Sequence, residues 1–597
     1  MTWLWDWDHM ISPARVLRQY LFEHGTIPFW NFYLCGGQFE LQNPQSFTFT
    51  WPSLLYYLIH PAAAIMVLWA LLTAAGTLAM ARLLELAGSR SWIAWSCAVA
   101  FTFSGYFGAH FNQGHATFSF FHLVLLLCWL TAREWRLQFD SGKSRLIIPP
   151  IVLASFLLFS APAIQTMVYA FPAFLVIAAF LFWPVKRPSG APRERNGFAS
   201  GVIISMIFGI FSASYKFFPV LFQSLSRRRD DIFLERYPPD ILFKTMFTFV
   251  LHPHRMWQEY KAPERMFGWW EYAAFISPVL VGLALMAPVV YFAARLFRRG
   301  MRHSLVESEV KPSAILHDRL MISGLLLMMM GALLCLGNGF WLDATNGARV
   351  GGPLAKILQS VRVFPRFQFL SLFGAAICGG LCLELLVSRR AFLNLIPARV
   401  MLLLLIAGPS VVQAAIMIHS IEAIPDRFME ERFGLKSSFD EMARGKNLLL
   451  SNRILLMPGI ISAQDLMVRH GVVVAECYDQ FFPIKQEFQL RAPDLLRPMT
   501  TPRLARLEKL TGRAFDLSIP SNLDQNIIFN LALVQDAKVT PQPMIGPRGM
   551  EFDRASVAGK SIHVEFPVDD AVFGALVSMV SLIAVLGIYL RERRYPK

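Results

Sequence analysis

Charge is what this chain has least of. Asp, Glu, Lys and Arg make up 16% of its 597 residues, while 55% are hydrophobic. A soluble domain carries about a quarter charged residues, so this balance, with a mean hydropathy of +0.44, excludes a soluble globular protein and leaves a membrane protein. Acidic residues are scarcer than basic ones, 41 against 56, for a net charge of +15. The basic residues sit in short clusters between apolar runs, as in the cytoplasmic loops of membrane proteins. The charge therefore reads as orientation, and nucleic-acid binding is not expected. Of the 7 cysteines, Cys97, Cys128, Cys335, Cys378 and Cys382 lie in apolar runs as small packing residues. Cys35 and Cys477 fall in polar segments, with no spacing motif to pair them. There is no Walker loop, dinucleotide fingerprint, nucleophile elbow or HExxH, so nucleotide-driven transport and the common hydrolases lack their signatures. No repeat, heptad or low-complexity tract occurs. The polar head of the sequence would have to cross the bilayer without a preceding helix or signal peptide, so a missing first helix is expected.

What is present is a series of apolar runs of roughly spanning length, near 54–84, 91–109, 116–132, 147–160, 163–184, 198–219, 272–294, 319–337, 368–388, 399–419 and 570–590. They predict a mainly α, polytopic protein of about 11 transmembrane helices, the fourth and fifth forming a tight pair around Ala161 and Pro162. Basic clusters occupy alternate connections, which are assigned to the cytoplasm. Residues 1–52, 220–271, 338–367 and 420–569 then face outward. The chain divides into an outer first loop at 1–52, a helical core at 53–419 with outer loops 220–271 and 338–367, an outer domain at 420–569, and a last helix with a basic tail at 570–597. In the outer domain 426–446 reads as an amphipathic helix. The β-branched stretches 471–476, 526–534 and 561–566 read as strands of a small α+β or β-sandwich-like domain.

Polar residues concentrate where membrane meets water. Asp6 and Asp8 alternate with Trp5 and Trp7, so an extended segment would put both carboxylates on one face and a helix would splay them. They are either a general base or cation ligand, or water-facing neighbours of interfacial tryptophans. Gly25 through Pro28 and Cys35 through Gly37 are turn chemistry. Asn31, Gln38, Asn43 and Gln45 offer amides to sugar hydroxyls or phosphate oxygens, or to their own loop. His110, Asn112, Gln113 and His115 form an outward turn suited to phosphate binding, proton transfer or metal ligation. A spacing of five residues is not that of a helical metal pair, so no metal ligands are assigned. The outer loop 220–271 carries Arg227, Arg228, Arg229 and Arg255 and closes with Glu271 expected at a helix start. Outward arginines ask for an anion such as lipid phosphate, unless long loops simply escape the charge rule. Arg362 and Arg366 precede another span, as a phosphate clamp or as helix-end anchors. Within the spans the one evident charge is Glu384, near a cytoplasmic end from which it would snorkel.

The segments Trp5-Asp6-Trp7-Asp8, Gly25 through Gln38 and Asn43-Pro44-Gln45-Ser46 together resemble bacterial YfhO-like membrane proteins of the wider GT-C glycosyltransferase class. Phe103 through Tyr106, Gly114-His115, Trp270-Glu271-Tyr272, Arg362 through Phe367 and parts of 520–590 extend the resemblance over most of the chain. The resemblance implies a GT-C-like helical bundle in the bacterial inner membrane with its site facing the periplasm. It also implies that a first family helix is missing ahead of Asp6. By that likeness Asp6 or Asp8 is the base that deprotonates an acceptor hydroxyl. Arg362, Arg366, Arg255 or His115 bears the leaving phosphate, and Glu271 positions substrate. The implied partners are membrane lipids, a polyprenyl-phosphate-linked sugar donor, and a glycan, lipid or protein acceptor. No cofactor is certain, and a divalent cation is compatible with the chemistry. The competing readings are a lipid or polysaccharide transporter, which would show paired broken helices, and a non-catalytic envelope assembly protein.

Overall fold

A computed structural model describes residues 2–3, 6–31, 38–41, 43, 46–141, 145–162, 166–183, 196–226, 244–250, 271–302, 311–336, 342–343, 347–348, 363–388, 395–421 and 423–424. In the C-terminal part it describes 449–451, 472–474, 506–510, 514–518, 521, 527–529, 538–546, 549–565 and 569–594. The amphipathic helix expected at 426–446 lies outside the described residues.

Every apolar run is helical, and the chain is a polytopic helical membrane protein. Among the described residues seven helices are long and apolar enough to cross a bilayer by themselves, or eight if one bent pair counts as a span, where about eleven spans were expected. The difference comes from breaks that hydropathy cannot see. The second run divides into Ser91–Thr102 and Gly105–Asn112, because Phe103 and Ser104 leave helical geometry. The fourth and fifth give the short helices Pro149–Phe159 and Thr166–Phe182. The sixth bends by 83° between Ser212 and Ser214. Proline occupies the first turn of Pro61–Leu86, Pro149–Phe159, Pro312–Cys335 and Ile396–His419, where its missing N–H costs no hydrogen bond.

The bundle is built around Gln368–Val387, which packs on Pro278–Arg302, Pro312–Cys335 and Ser91–Thr102. Only two of its residues, Glu384 and Leu386, escape full burial. Close approach needs small residues: a Cβ on Gly374 would overlap the Gly324 carbonyl of the neighbouring helix. Glu384 does not snorkel. It accepts the Arg90 backbone N–H at 2.9 Å at the start of Ser91–Thr102, with the Arg90 side chain at 3.6 Å. Nor is it alone, since Lys216 and Arg319 are buried within helices as well. Arg319 donates to the carbonyls of Leu181 (2.7 Å) and Trp183, and so satisfies the end of the preceding short helix.

The break at Ala213 is held by the last helix, Asp569–Arg594. Ser578 accepts the freed N–H of Tyr215 at 3.1 Å, and Ser214 donates to the Gly574 carbonyl at 2.8 Å. Ser212 and Ser581 lie 3.1 Å apart. In lipid a broken backbone needs such partners. A Cβ on Gly574 would stand 2.7 Å from the Tyr215 Cα, so only glycine lets the helices touch here.

Two further expectations change. The first segment is not a loop, because Asp6–His24 is an α-helix burying Trp7, Ile11, Leu17 and Tyr20. Thr2–Trp3 pairs antiparallel with Ala423–Ile424, tying the N-terminal segment to the end of Ile396–His419. In the C-terminal part the three expected strands appear as Val472–Val474, Ile527–Phe529 and Ser561–Glu565. The last two belong to a three-stranded and a four-stranded antiparallel sheet respectively. Val472–Val474 instead pairs in parallel with Leu449–Ser451.

Candidate functional site

Residues from three parts of the chain meet at the end of the bundle away from the Arg90–Glu384 contact. The helix Gly105–Asn112 carries His110 in its last turn. Gly114, at φ +89°, then reverses the chain so that His115 returns onto the helix, and its N–H donates to the His110 carbonyl at 2.8 Å. Separation by five residues across a helix end and a turn thereby becomes an Nδ1–Nδ1 contact of 2.7 Å. A straight helix would have kept the rings apart. The chain after Glu271 docks on the same helix through the Gly105 N–H and Phe275 carbonyl at 2.7 Å. Glu271 was expected to open a helix. Its helix, Pro278–Arg302, starts seven residues later, and Glu271 is fixed by side-chain contacts instead.

Those contacts come from Arg366, in the 3-10 turn Phe364–Phe367 that leads into Gln368–Val387. Its Nε donates to Glu271 Oε2 at 2.8 Å and a terminal nitrogen to Oε1 at 2.5 Å, a bidentate pair. The guanidinium lies over the rings of Phe118 (5.1 Å) and Tyr169 (5.9 Å), and the Arg366 carbonyl accepts the Tyr106 hydroxyl at 3.0 Å. His110 stacks on Phe118 at 3.7 Å. Its Nε2 is buried, has no hydrogen-bond partner among the described residues, and faces Glu271 Oε2 at 3.9 Å. Burial first, then His115 and Arg366, holds His110 well below the usual imidazole range, so its ring is neutral. One ligand atom each from His110, His115 and Glu271 fall within 4.8 Å of one another. The cluster offers a carboxylate, a guanidinium, two imidazoles and two phenol rings in a site closed to bulk water, which suits binding of a phosphate or a cation.

The helix bearing Asp6 and Asp8 begins beside this cluster. The Trp7 indole donates to the Asn112 carbonyl at 3.0 Å and meets Phe111 edge-on at 5.1 Å, between the two histidines in sequence. Asp6 and Asp8 fall in the first turn of that helix rather than in an extended segment, so the two positions do not share a face. Their side chains lie outside what is described. Asn112 continues the link by donating to the Met417 carbonyl at 2.8 Å and to Ser420 at 2.9 Å.

The remaining expected residues divide. Asn31 and Asn43 belong to a second buried cluster. There Glu40 accepts from Asn31 at 2.6 Å and from Ser46, while Lys216 Nζ donates to the carbonyls of Glu40 (3.0 Å) and Asn43 (2.9 Å). Glu40 and Lys216 were missed in the sequence: the first sits among turn residues and the second inside an apolar run. Gln38 pairs through its backbone in the short ladder with Asn31, and its side chain is not described. Gln45, Arg255, Arg362 and the arginines at 227–229 lie outside the described residues. Tyr169 also escaped notice, being one aromatic in a run rich in them.

No protein-family model matches the chain. No curated protein matches it either. Among solved structures it is similar to the arabinofuranosyltransferase AftD from Mycobacteria, with 11% identity and a TM-score of 0.42, over 79% of this chain and 31% of that one. The chain thus spans about a third of the length of that protein, and at that score the likeness identifies neither family nor reaction.

Proposed function

We propose that this protein is a GT-C-type membrane glycosyltransferase that moves a sugar from a polyprenyl-phosphate-linked donor to a cell-envelope acceptor on the outer face of a bacterial inner membrane. Asp6 or Asp8 is the base that takes the proton of the acceptor hydroxyl as it attacks the anomeric carbon. The lipid phosphate leaves with the electron pair of the broken bond, and Arg366 with the histidine pair stabilises its charge. Glu271 orients Arg366. The donor carries its own activation, in keeping with the absence of nucleotide motifs.

The observation that carries this reading is the contact of Trp7 with Asn112. It sets the first turn of the helix that carries Asp6 and Asp8 against the turn between His110 and His115, which supports a base and a phosphate site acting on one substrate. The test is sugar transfer from a synthetic polyprenyl-phosphate sugar by the protein reconstituted in vesicles. Asp6→Asn, Asp8→Asn and the double variant are expected to leave one aspartate whose loss lowers the rate by at least about 100-fold. Full transfer by the double variant would overturn the assignment. One observation favours the transporter reading, the 83° break at Ala213. Transporters of that kind pair such breaks in two halves, and among the described residues there is a single bent pair. Lipid-linked sugar crossing the vesicle without transfer would favour it.

A further inference from the structure

We infer that His110, His115 and Glu271 form a binding site for a divalent transition ion of the zinc class. The inference deepens the proposed function, since the ion would face the leaving phosphate, but its evidence and its test do not depend on sugar transfer.

The first argument is the donor set. Two imidazoles and a carboxylate are the ligands that Zn²⁺ takes in catalytic sites, with a fourth position open. Imidazole nitrogen favours zinc, copper, nickel and iron over magnesium or calcium, which want oxygen. All three residues are buried, with one donor atom each inside 4.8 Å. An ion held at about 2.1 Å by each donor asks for donors roughly 3.4 Å apart. With His110 coordinating through Nε2, which faces Glu271 Oε2 at 3.9 Å, loading draws these two donors together and brings in His115, movements that side-chain rotation supplies.

The second argument is the unsatisfied atom. His110 Nε2 is buried without a hydrogen-bond partner among the described residues and faces the Glu271 carboxylate. An imidazole nitrogen left so is destabilising against a hydrogen-bonded one. Coordination removes the deficit without requiring a protonated ring in an enclosed site.

Third, a further positive charge would strengthen the hold of this cluster on a phosphate. Glu271 and Arg366 offset each other's charge at 2.5 and 2.8 Å. An ion of charge +2 supplies that further charge, which matches a phosphate leaving group. Arg366 is no obstacle, because a carboxylate has about four lone-pair sites and a bidentate arginine uses two. It orients the carboxylate as partners of metal ligands do elsewhere.

The experiment uses the full chain, purified in detergent, stripped with chelator and titrated with Zn²⁺, then with Co²⁺ as a spectroscopic probe. The expected result is one ion per chain and visible cobalt bands of a four- or five-coordinate nitrogen and oxygen site. Binding should weaken by about 100-fold or more in His110→Ala and His115→Ala, and Mg²⁺ should not compete. X-ray absorption of the zinc-loaded wild type counts imidazoles directly, so the test survives if a variant fails to fold. Two imidazoles per zinc support the site. No binding, binding unaltered in folded variants, or zinc with fewer than two imidazoles overturns it. Because no donor sugar is present, a negative result here leaves the transfer reaction standing, and loss of transfer in Asp6→Asn or Asp8→Asn with zinc still bound separates the two.

Discussion

Two buried polar clusters sit in this molecule, and they differ in how completely they are satisfied. Around Glu40, both carboxylate oxygens and the Lys216 ammonium are engaged by Asn31, Ser46 and two backbone carbonyls. Around His110, among the described residues, one ring nitrogen has no hydrogen-bond partner and the charges close between Glu271 and Arg366. A saturated network specifies a single packing, whereas an unsaturated one keeps capacity for a ligand at a cost in stability. We read the first as the brace that fixes Asn31, Glu40, Asn43 and Ser46 on the bent helix and the second as room for a ligand.

The largest expected effect comes from opening the charge pair. Arg366→Ala leaves Glu271 buried and unpaired, and should cost about 3–5 kcal/mol. Thermal unfolding in detergent would show it as a lowered midpoint, and the double variant Arg366→Leu with Glu271→Leu should recover most of the loss. Next is the brace: Glu40→Ala strips partners from Asn31 and Ser46 and should cost about 2–3 kcal/mol. Transfer activity should fall only in proportion to the folded fraction. A variant that stayed as stable as wild type but lost activity would move Glu40 into the site and erase the contrast. His110→Gln sharpens it from the other side, with transfer falling by about 100-fold while the free energy of unfolding changes by less than about 1 kcal/mol.

Acidity separates the clusters too. His110 has its proton affinity depressed in the fold, so the unfolded chain binds the extra proton first. In metal-stripped protein its contribution is flat above the ordinary imidazole value near 6.5 and is lost as pH falls below it, by up to about 1.4 kcal/mol per unit. Unfolding midpoints measured from pH 7.5 down to 5 should show that slope in wild type and a shallower one in His110→Gln. The smallest effect is a control outside both clusters. His563 and Asp516 face each other across two strands at 2.5 Å, half in water, and His563→Ala should cost less than about 1 kcal/mol.

Much of the candidate site is legible as residues but not as an assembly. His110, His115, Glu271 and Arg366 all stand out in the sequence as polar groups beside apolar runs. The spacing argument against pairing the histidines fails because it assumes a continuous helix, and Gly114 turns the chain instead. Asp6 and Asp8 stand out equally, yet alternation with tryptophan suggests an extended segment where a helix forms. Lys216 is hidden for the opposite reason: inside a hydrophobic stretch a lone lysine gives no hint of its partners, here two carbonyls more than 170 residues away.

Composition and hydropathy alone determined that this is a polytopic helical membrane protein with a strand-rich segment before its last helix, because burying apolar residues in lipid requires runs of a certain length and leaves little choice of secondary structure. Which runs break was decided only in three dimensions. The bend at Ala213 persists because serines of a helix some 360 residues later satisfy its backbone, and the His110 cluster exists because three distant segments dock on one short helix. Such contacts depend on tertiary neighbours rather than on local pattern, so no reading of a single stretch contains them.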